Sequence, residues 1–285
     1  AHWRQEDPGT MPAGDIYGSG SPTGVAFYEN GALPKRLNGM FLACDAGRRD
    51  IMQYITRPKG AGMSLDRQIF LKTDNTKEAF NFRPSDVEVG ADGAIYVADW
   101  YDQRVGGHAD LDNTLSGAIY RIAPKGFKAG VSPDFKSLKG QIALLKSPSD
   151  NVRFLGFELL KKQGERALPA VQELIQDPTN PYVSARGIWL LPYLGSEGLQ
   201  QCETLLGSAD TNHAYTAFNA LRSAKKLKLS TINEFTKKQS PQLRRAAASA
   251  MRSLAFDQKK QGWVQLYEAW DGNDKYMLDA IGLAC

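Results

Sequence analysis

Four carboxylates and one histidine crowd a short, glycine-containing stretch near the middle of the chain. Asp99, Asp102, Asp110 and Asp112 surround His108, which follows two glycines. A histidine in such a loop can accept a proton or bind a ligand, or it can stabilise the backbone of its own loop. Carboxylates suit a hard cation such as calcium, although the spacing is not that of an EF-hand and aspartate also forms turns. We therefore predict His108 as the catalytic candidate, and Asp99 and Asp102 as the calcium ligands.

Two arginines and two aromatic residues lie beside this stretch. Arg83 and Arg121 begin and end one group of predicted strands. Their planar guanidinium groups can clamp an anionic group, or they can form ion pairs between neighbouring sheets. Trp100 and Tyr101 can stack on the apolar face of a sugar, or pack between neighbouring groups of strands. The residue types predict a cofactor role for the arginines and a substrate role for the aromatic pair.

The strands that must position these residues occur twice. A short alternating strand, an Asn-Gly or Asp-Gly turn and two further strands begin at Pro22 and again at Pro84. Units of a few antiparallel strands, too small to bury a core alone, are typical of propeller blades. Two blades cannot close a ring. We therefore expect residues 1–130 to form the last blades of a β-propeller whose early blades precede the chain.

The second half has the composition of a helical array. Apolar residues at three- and four-residue spacing recur with small residues between them, and polar or proline-containing turns precede each segment. These segments begin at Asn151, Pro181, His213, Gln242 and Lys275. The fold class predicted is thus β then α, with a HEAT-like α-solenoid over residues 131–285 that is truncated at the C-terminus. We expect residues 137–285 to form about nine helices in antiparallel pairs. We expect its last helix to have a poorly covered apolar face.

The overall composition excludes several classes of protein. The chain has 285 residues, 42% of them hydrophobic and 23% charged, with no apolar run long enough for a membrane span and no leader-like start. Its three cysteines fit neither a metal nor a haem-attachment pattern and are interpreted as buried free thiols. The second half carries a basic excess without interleaved aromatic residues, so a solvated face or an acidic partner is favoured over nucleic acid. The basic residues concerned are Lys225, Lys226, Lys228, Lys237, Lys238, Arg244, Arg245, Lys259 and Lys260.

Three segments carry a resemblance to a known family. They are GSGSPTGVAFYENG at residues 18–31, RPSDVEVGADGAIYVADWYD at residues 83–102 and GAIYRIAPKG at residues 117–126. In these segments the chain closely resembles the membrane-bound-dehydrogenase-like proteins with a PVC-type haem-binding domain, whose propeller is similar to glucose/sorbosone dehydrogenases. The resemblance covers residues 7–126 by motif and the second half by architecture alone.

The resemblance implies a periplasmic or secreted dehydrogenase-like protein. Its propeller would bind a sugar or polyol and pass electrons to a c-type haem domain beyond Cys285. A quinone over the propeller centre, with Arg83 and Arg121 as clamps, is also implied. The sequence leaves open whether the chain catalyses, and we expect this piece alone to be inactive. The alternative is a non-catalytic carbohydrate- or protein-binding propeller with a helical scaffold, because a fold by itself does not establish chemistry.

Overall fold

Seven strands come first in the chain, and ten α-helices follow within the described ranges. The structure is a computed structural model that describes residues 14–18, 20–74, 81–102, 116–130 and 132–285. The strands are β1 (Pro22–Tyr28), β2 (Met40–Asp45), β3 (Asp50–Lys59), β4 (Gly62–Lys72), β5 (Pro84–Val89), β6 (Ile95–Asp99) and β7 (Ala118–Ile122). The helices are α1 (Leu138–Leu145), α2 (Asp150–Gln163), α3 (Leu168–Gln176), α4 (Pro181–Leu190), α5 (Gly195–Leu205), α6 (Thr211–Ser223), α7 (Leu229–Phe235), α8 (Pro241–Met251), α9 (Phe256–Glu268) and α10 (Lys275–Ala284).

The strands form two antiparallel sheets in chain order. Sheet 1 has the order β1-β2-β3-β4, and sheet 2 has the order β5-β6-β7. Alternation along the strands sets their faces: on β6, Ile95, Val97 and Asp99 are buried, while the residues between them are half-buried. Gly93, with a φ of 83°, lets the chain reverse between β5 and β6. The β-patterned repeat seen in the sequence therefore corresponds to two real units.

The two sheets share one hydrophobic core. Strand β1 lies against β5, where the Thr23 hydroxyl donates a hydrogen bond of 2.7 Å to the Pro84 carbonyl. The buried side chains of both sheets form a single cluster, which includes Tyr28, Met40, Leu42, Cys44, Ile51, Phe82, Val87, Val89, Ile95 and Val97. Each sheet thus buries its inner face against the other.

The propeller prediction is wrong for the structure as described. Its strands make one sheet of four and one sheet of three, and these do not close into a ring or a barrel. Strand patterning reveals units of three or four strands, but it cannot say how many units surround an axis. Here two units suffice to cover one another's inner faces. The fold class is two small antiparallel sheets followed by an array of helices, rather than propeller blades followed by a HEAT-like solenoid.

The helices stack in a regular order. Every second helix packs on the next, in the series α2, α4, α6, α8 and α10. The starts of these five helices lie at or within two residues of the five segments predicted from the sequence. Their N-termini are capped locally: the Asn180 side chain accepts from the backbone of Tyr182 and Val183, and Asp274 accepts from Met277. Helix lengths range from 7 to 14 residues, so helix order repeats rather than a unit of fixed size.

A buried ion cluster joins sheet 1 to the first helices. Glu29, at the end of β1, is 1% exposed and pairs with Arg153 of α2 (3.6 Å) and with Arg186 of α4. Burial lowers the pKa of Arg186 to about 10, which still leaves it a cation at neutral pH. The rings of Phe27 and Tyr182 pack edge to face beside this cluster, with centroids 5.2 Å apart. Charge pairing and ring packing therefore fix one end of sheet 1 to α2 and α4.

A second contact joins the β3–β4 hairpin to the last helix. The Asp274 carboxylate, which caps α10, also accepts a hydrogen bond from the Ala61 backbone N–H at 2.7 Å. The Tyr276 hydroxyl donates to the Met63 carbonyl at 2.9 Å. Ala61 is fully buried in the same apolar cluster as the later helices. Sheet 1 is therefore attached to the helical array at two separate places.

The structure also bears on the predictions about the last helix, the cysteines and membrane spans. The last helix is better covered than expected, since Met277, Ala280, Ile281 and Ala284 are buried and Leu283 is half-exposed. Cys44 and Cys202 are buried free thiols whose pKa burial raises to about 12, whereas Cys285 is exposed. None of the helices in the described part of the chain has the length and apolar character that a membrane crossing requires.

Candidate functional site

A cleft of about 520 Å³ opens at the margin of the core, between the end of β4 and the β6–β7 side of sheet 2. Its apolar floor continues the core through residues such as Phe82 and Val97, and polar groups stand around it. The lining residues are Leu71, Thr73, Asp74, Phe82, Val97, Asp99, Tyr101, Tyr120, Arg121 and Ile122. A concave site with an apolar floor and a few convergent polar groups is the usual form of a small-molecule pocket.

Asp99 is the most constrained carboxylate of the cleft. It ends β6, is 5% exposed, and its Oδ1 accepts hydrogen bonds from the backbone N–H groups of Arg83 and Tyr101, both at 2.8 Å. Its Oδ2 accepts from the Tyr120 hydroxyl at 3.3 Å. The first oxygen thus holds the backbone around the strand end, and the second holds an aromatic side chain of the cleft. This carboxylate positions the site as well as lining it.

Arg83 was predicted to clamp a cofactor, but its side chain instead connects the two sheets by hydrogen bonds. Its side chain donates to the carbonyl of Asp102 at 2.7 Å and to the carbonyl of Ala46 in the turn after β2 at 3.1 Å. It is 6% exposed and is not among the lining residues of the cleft. Burial, and then the neighbouring charge of Arg49, lower its pKa. The structure therefore places the guanidinium group between the two sheets, without access to the cleft.

Arg121 does line the cleft, but it is engaged with an acid. Its Nη2 lies 2.7 Å from the Asp92 carboxylate, and its Nε lies 3.2 Å from the Tyr96 hydroxyl. Burial alone would raise the pKa of Asp92, yet the hydrogen bonds from Arg121, the Ala94 N–H and Tyr96 outweigh it and hold that pKa below its usual range. The charge of Arg121 is thus largely balanced at the rim, which favours an uncharged ligand over an anionic one.

The two predicted aromatic residues separate in the structure. Tyr101 lines the cleft and has a φ of 54°, a conformation held by its N–H bond to Asp99. Trp100 is 62% exposed and does not line the cleft. Tyr120 takes the place expected for a second ring, and its own ring packs against Phe82 with centroids 6.1 Å apart. Tyr120 was not predicted as a site residue although its strand was, because only the next residue, Arg121, was considered as a functional side chain there.

The catalytic and calcium predictions concern the stretch from Asp99 to Asp112. His108, Asp110 and Asp112 lie outside the described residues. The Asp102 backbone carbonyl accepts a hydrogen bond from Arg83, the residue whose backbone N–H is held by Asp99. Across the described ranges, no three His, Cys, Asp or Glu side chains are grouped as a metal ion would need. Calcium, quinone and His108 therefore stay predictions.

The basic residues of the second half do not share one edge. Lys225 and Lys226 precede α7, whereas Lys237 and Lys238 follow it. Lys259 is buried and donates to the Cys285 carbonyl at 2.8 Å. These basic residues therefore do not form the single continuous stripe that a phosphate backbone would require.

Comparisons with known proteins find a family model that is similar to part of the chain. Residues 9–126, less than half of it, match a family described as a domain of unknown function (DUF7133). No curated protein matches. Among solved structures, an engineered protein from a structural genomics consortium is 14% identical with a TM-score of 0.29, over 52% of this chain and 77% of that one. A designed armadillo repeat protein in complex with a (KR)4 peptide is 14% identical with a TM-score of 0.28, over 53% and 82%. At such TM-scores the likeness carries no argument about fold or function.

Proposed function

We propose that this chain binds a small polyhydroxylated molecule, a sugar or a polyol, in the cleft between its two sheets. The observation that carries the proposal is the meeting of Tyr101, Tyr120 and Asp99 around one apolar-floored space. Aromatic faces pack on the apolar face of a sugar ring, and fixed polar groups around them bind its hydroxyls.

The polar groups of the cleft suit hydroxyls rather than charges. Burial, and then the charge of Asp99, raise the pKa of Tyr120, so its phenol remains a neutral hydroxyl that can donate and accept. Thr73, which also lines the cleft, contributes a second hydroxyl group. Arg121 is already paired with Asp92, so an anionic ligand would have to compete with that carboxylate. A neutral ligand with several hydroxyls meets these groups without displacing an ion pair.

Oxidation of the bound ligand is a separate prediction. It would require a proton acceptor, for which His108 is the candidate, and an electron acceptor such as the predicted c-type haem domain. His108 lies outside the described residues, and the haem domain and the periplasmic location are what the family resemblance implies. Binding is therefore proposed for the cleft itself, and dehydrogenation for the longer protein that the family resemblance implies.

The test is a panel of neutral monosaccharides and linear polyols, measured by saturation-transfer NMR and then by calorimetry. We expect Tyr120→Ala to weaken binding about tenfold, which corresponds to about 1.4 kcal/mol. Trp100→Ala is the matched control, because it removes an exposed ring that does not line the cleft although its neighbours Asp99 and Tyr101 do. Equal weakening by both variants, or no binding by any member of the panel, would contradict the proposal.

The same panel separates binding from catalysis. With the full-length protein, reduction of an artificial electron acceptor in the presence of the ligand would extend the proposal to a dehydrogenase. His108→Ala should then abolish reduction while leaving binding unchanged. Binding without reduction would leave the alternative, a carbohydrate-binding module.

A further inference from the structure

A second cavity lies in the helical half, far from the cleft in sequence. It has a volume of about 490 Å³ and lies between the turn that follows α7 and the end of α9. Its lining residues are Thr236, Lys237, Lys238, Gln239, Arg244, Gln265, Glu268 and Ala269. We call it the α7–α9 groove. Three of its lining side chains are cations and one is an acid.

Two of the three cations of the groove, Arg244 and Lys238, have side-chain contacts that hold them in place. One nitrogen of the Arg244 guanidinium donates to the carbonyls of Lys238 and Gln239, at 2.9 and 2.7 Å, so the arginine is fixed to the turn that carries the lysines. The ammonium of Lys238 lies 5.7 Å from the centre of the Phe235 ring. A cation that is already ordered loses less entropy on binding than a free surface lysine.

The nearby acids leave the groove positive. Glu268 lies at the rim as the one acid among the lining residues. The next acid, Asp271, accepts hydrogen bonds at its Oδ1 from the backbone N–H groups of Asn273 and Asp274, at 2.9 and 2.8 Å, which lower its pKa and keep it anionic near Arg244. The three cations therefore outnumber the two acids by one. The side chains facing the groove therefore combine a net positive charge with the amides of Gln239 and Gln265.

We propose that the α7–α9 groove binds an acidic peptide segment of a partner protein. The lysines pair with its Asp or Glu side chains, and the two glutamines lie where its backbone can be hydrogen-bonded. Charge complementarity of this kind sets the partner and the association rate more than the final affinity.

The groove fits a peptide better than a nucleic acid. None of its lining residues is aromatic, so bases have no ring on which to stack. The other lysine pair, Lys225 and Lys226, is separated from Lys237 and Lys238 by the seven residues of α7, about 10 Å of helix at 1.5 Å per residue. A phosphate backbone following the array would therefore meet two separate basic spots.

The two lysine pairs provide a matched experiment. The full chain is titrated with fluorescein-labelled hexaglutamate, and binding is followed by anisotropy at about 50 and 150 mM salt. We expect Lys237→Gln/Lys238→Gln to weaken binding at least tenfold. Lys225→Gln/Lys226→Gln removes the same charge at the other end of α7 and should weaken it less than twofold. Circular dichroism checks that both double variants fold.

Three results would overturn the proposal. Equal weakening by the two double variants would mean attraction to the overall charge, without a site. Tighter binding of a labelled oligothymidine or RNA than of hexaglutamate would favour a nucleic acid. Absence of binding to the unaltered chain at the lower salt concentration would remove the groove from consideration.

Discussion

Asp45 and Asp99 make equivalent hydrogen bonds in the two sheets. Each ends the second strand of its sheet, and the Oδ1 of each accepts a hydrogen bond of 2.8 Å from the backbone N–H just before the first strand, that of Ser21 for Asp45 and that of Arg83 for Asp99. Each carboxylate thereby ties the start of one strand to the end of the next. The internal repeat of the sequence thus extends from strand pattern to a specific hydrogen bond.

The second oxygen distinguishes the two sheets functionally. Asp45 accepts from the hydroxyl of Tyr17, which precedes sheet 1, at 2.9 Å. Asp99 accepts from Tyr120, which lines the cleft. The same hydrogen-bonding arrangement at a strand end is therefore part of a candidate binding site in sheet 2 and not in sheet 1.

Replacing Asp99 should separate its acceptor role from its charge. Asp99→Ala leaves two buried N–H groups without partners, so we expect it to lower the free energy of unfolding by about 2–4 kcal/mol. Asp99→Asn keeps a carbonyl oxygen at the same place and should cost about 1 kcal/mol or less. Urea unfolding of both variants measures the difference. Equal losses would show that the charge, and not the acceptor, holds the strand end.

Removing the buried acid of the junction should be costly. Glu29→Gln leaves the buried Arg186 without its counter-charge, while Arg153 keeps Asp150 as a partner, and breaking a buried pair in this way costs about 3–5 kcal/mol. Glu158→Gln, which removes a largely exposed acid paired with Lys161 on α2, should cost less than about 1 kcal/mol. Thermal and urea unfolding compare the two. Similar small losses for both would show that the junction does not depend on this cluster.

The pairing of Asp92 with Arg121 predicts an acid-dependent stability. Because the folded-state pKa of Asp92 is below its unfolded value of about 3.9, its contribution is present above that pH and is lost as the pH falls through the folded pKa. Asp92→Asn should flatten the fall in urea midpoint between roughly pH 5 and pH 2. Arg121→Gln removes the strongest donor to Asp92 and should flatten the same region. An unchanged slope in both variants would contradict the assignment.

At the C-terminus of one helix, a residue other than glycine adopts a left-handed backbone conformation. Helix α6 ends in a Schellman motif, in which the Lys226 N–H donates to the Leu221 carbonyl and Lys225 adopts a φ of 57°. Lys225→Gly should raise the free energy of unfolding by about 0.5–1 kcal/mol, since a left-handed residue other than glycine is strained. Lys226→Gly, one residue further on, has no such strain to relieve and should give no gain.

The sequence predicted the elements of this fold better than their assembly. Helix starts were readable because capping residues such as Asn180 and Asp274 act within one turn of themselves. The prediction of propeller blades was wrong because a propeller depends on how whole sheets pack around an axis, and no local pattern records that. The Glu29 cluster was equally invisible, since Arg153 and Arg186 join it from helices far along the chain.

The candidate site was predicted in part for the same reason. Asp99, Tyr101 and Arg121 were selected by residue type, and all three line the cleft. Arg83 and Trp100 have the same chemistry in sequence but face the sheet junction and the solvent. The two groups differ in the direction that each side chain takes once the sheets have packed, since Asp99 and Arg83 are equally buried. That direction is set by tertiary packing, which a residue's neighbours in the chain do not determine.

The bond between Ala61 and Asp274 also sets an order of events during synthesis. Its two residues are 213 positions apart. At about 5–20 residues per second, the ribosome delivers Asp274 roughly 10–40 s after the β3–β4 hairpin. During that interval the Ala61 end of the hairpin lacks its helical cover, and this contact can form only after α10 has been made. The N-terminal sheet is therefore translated first and completed last, which makes the newly made chain most vulnerable to proteases and self-association at the hairpin.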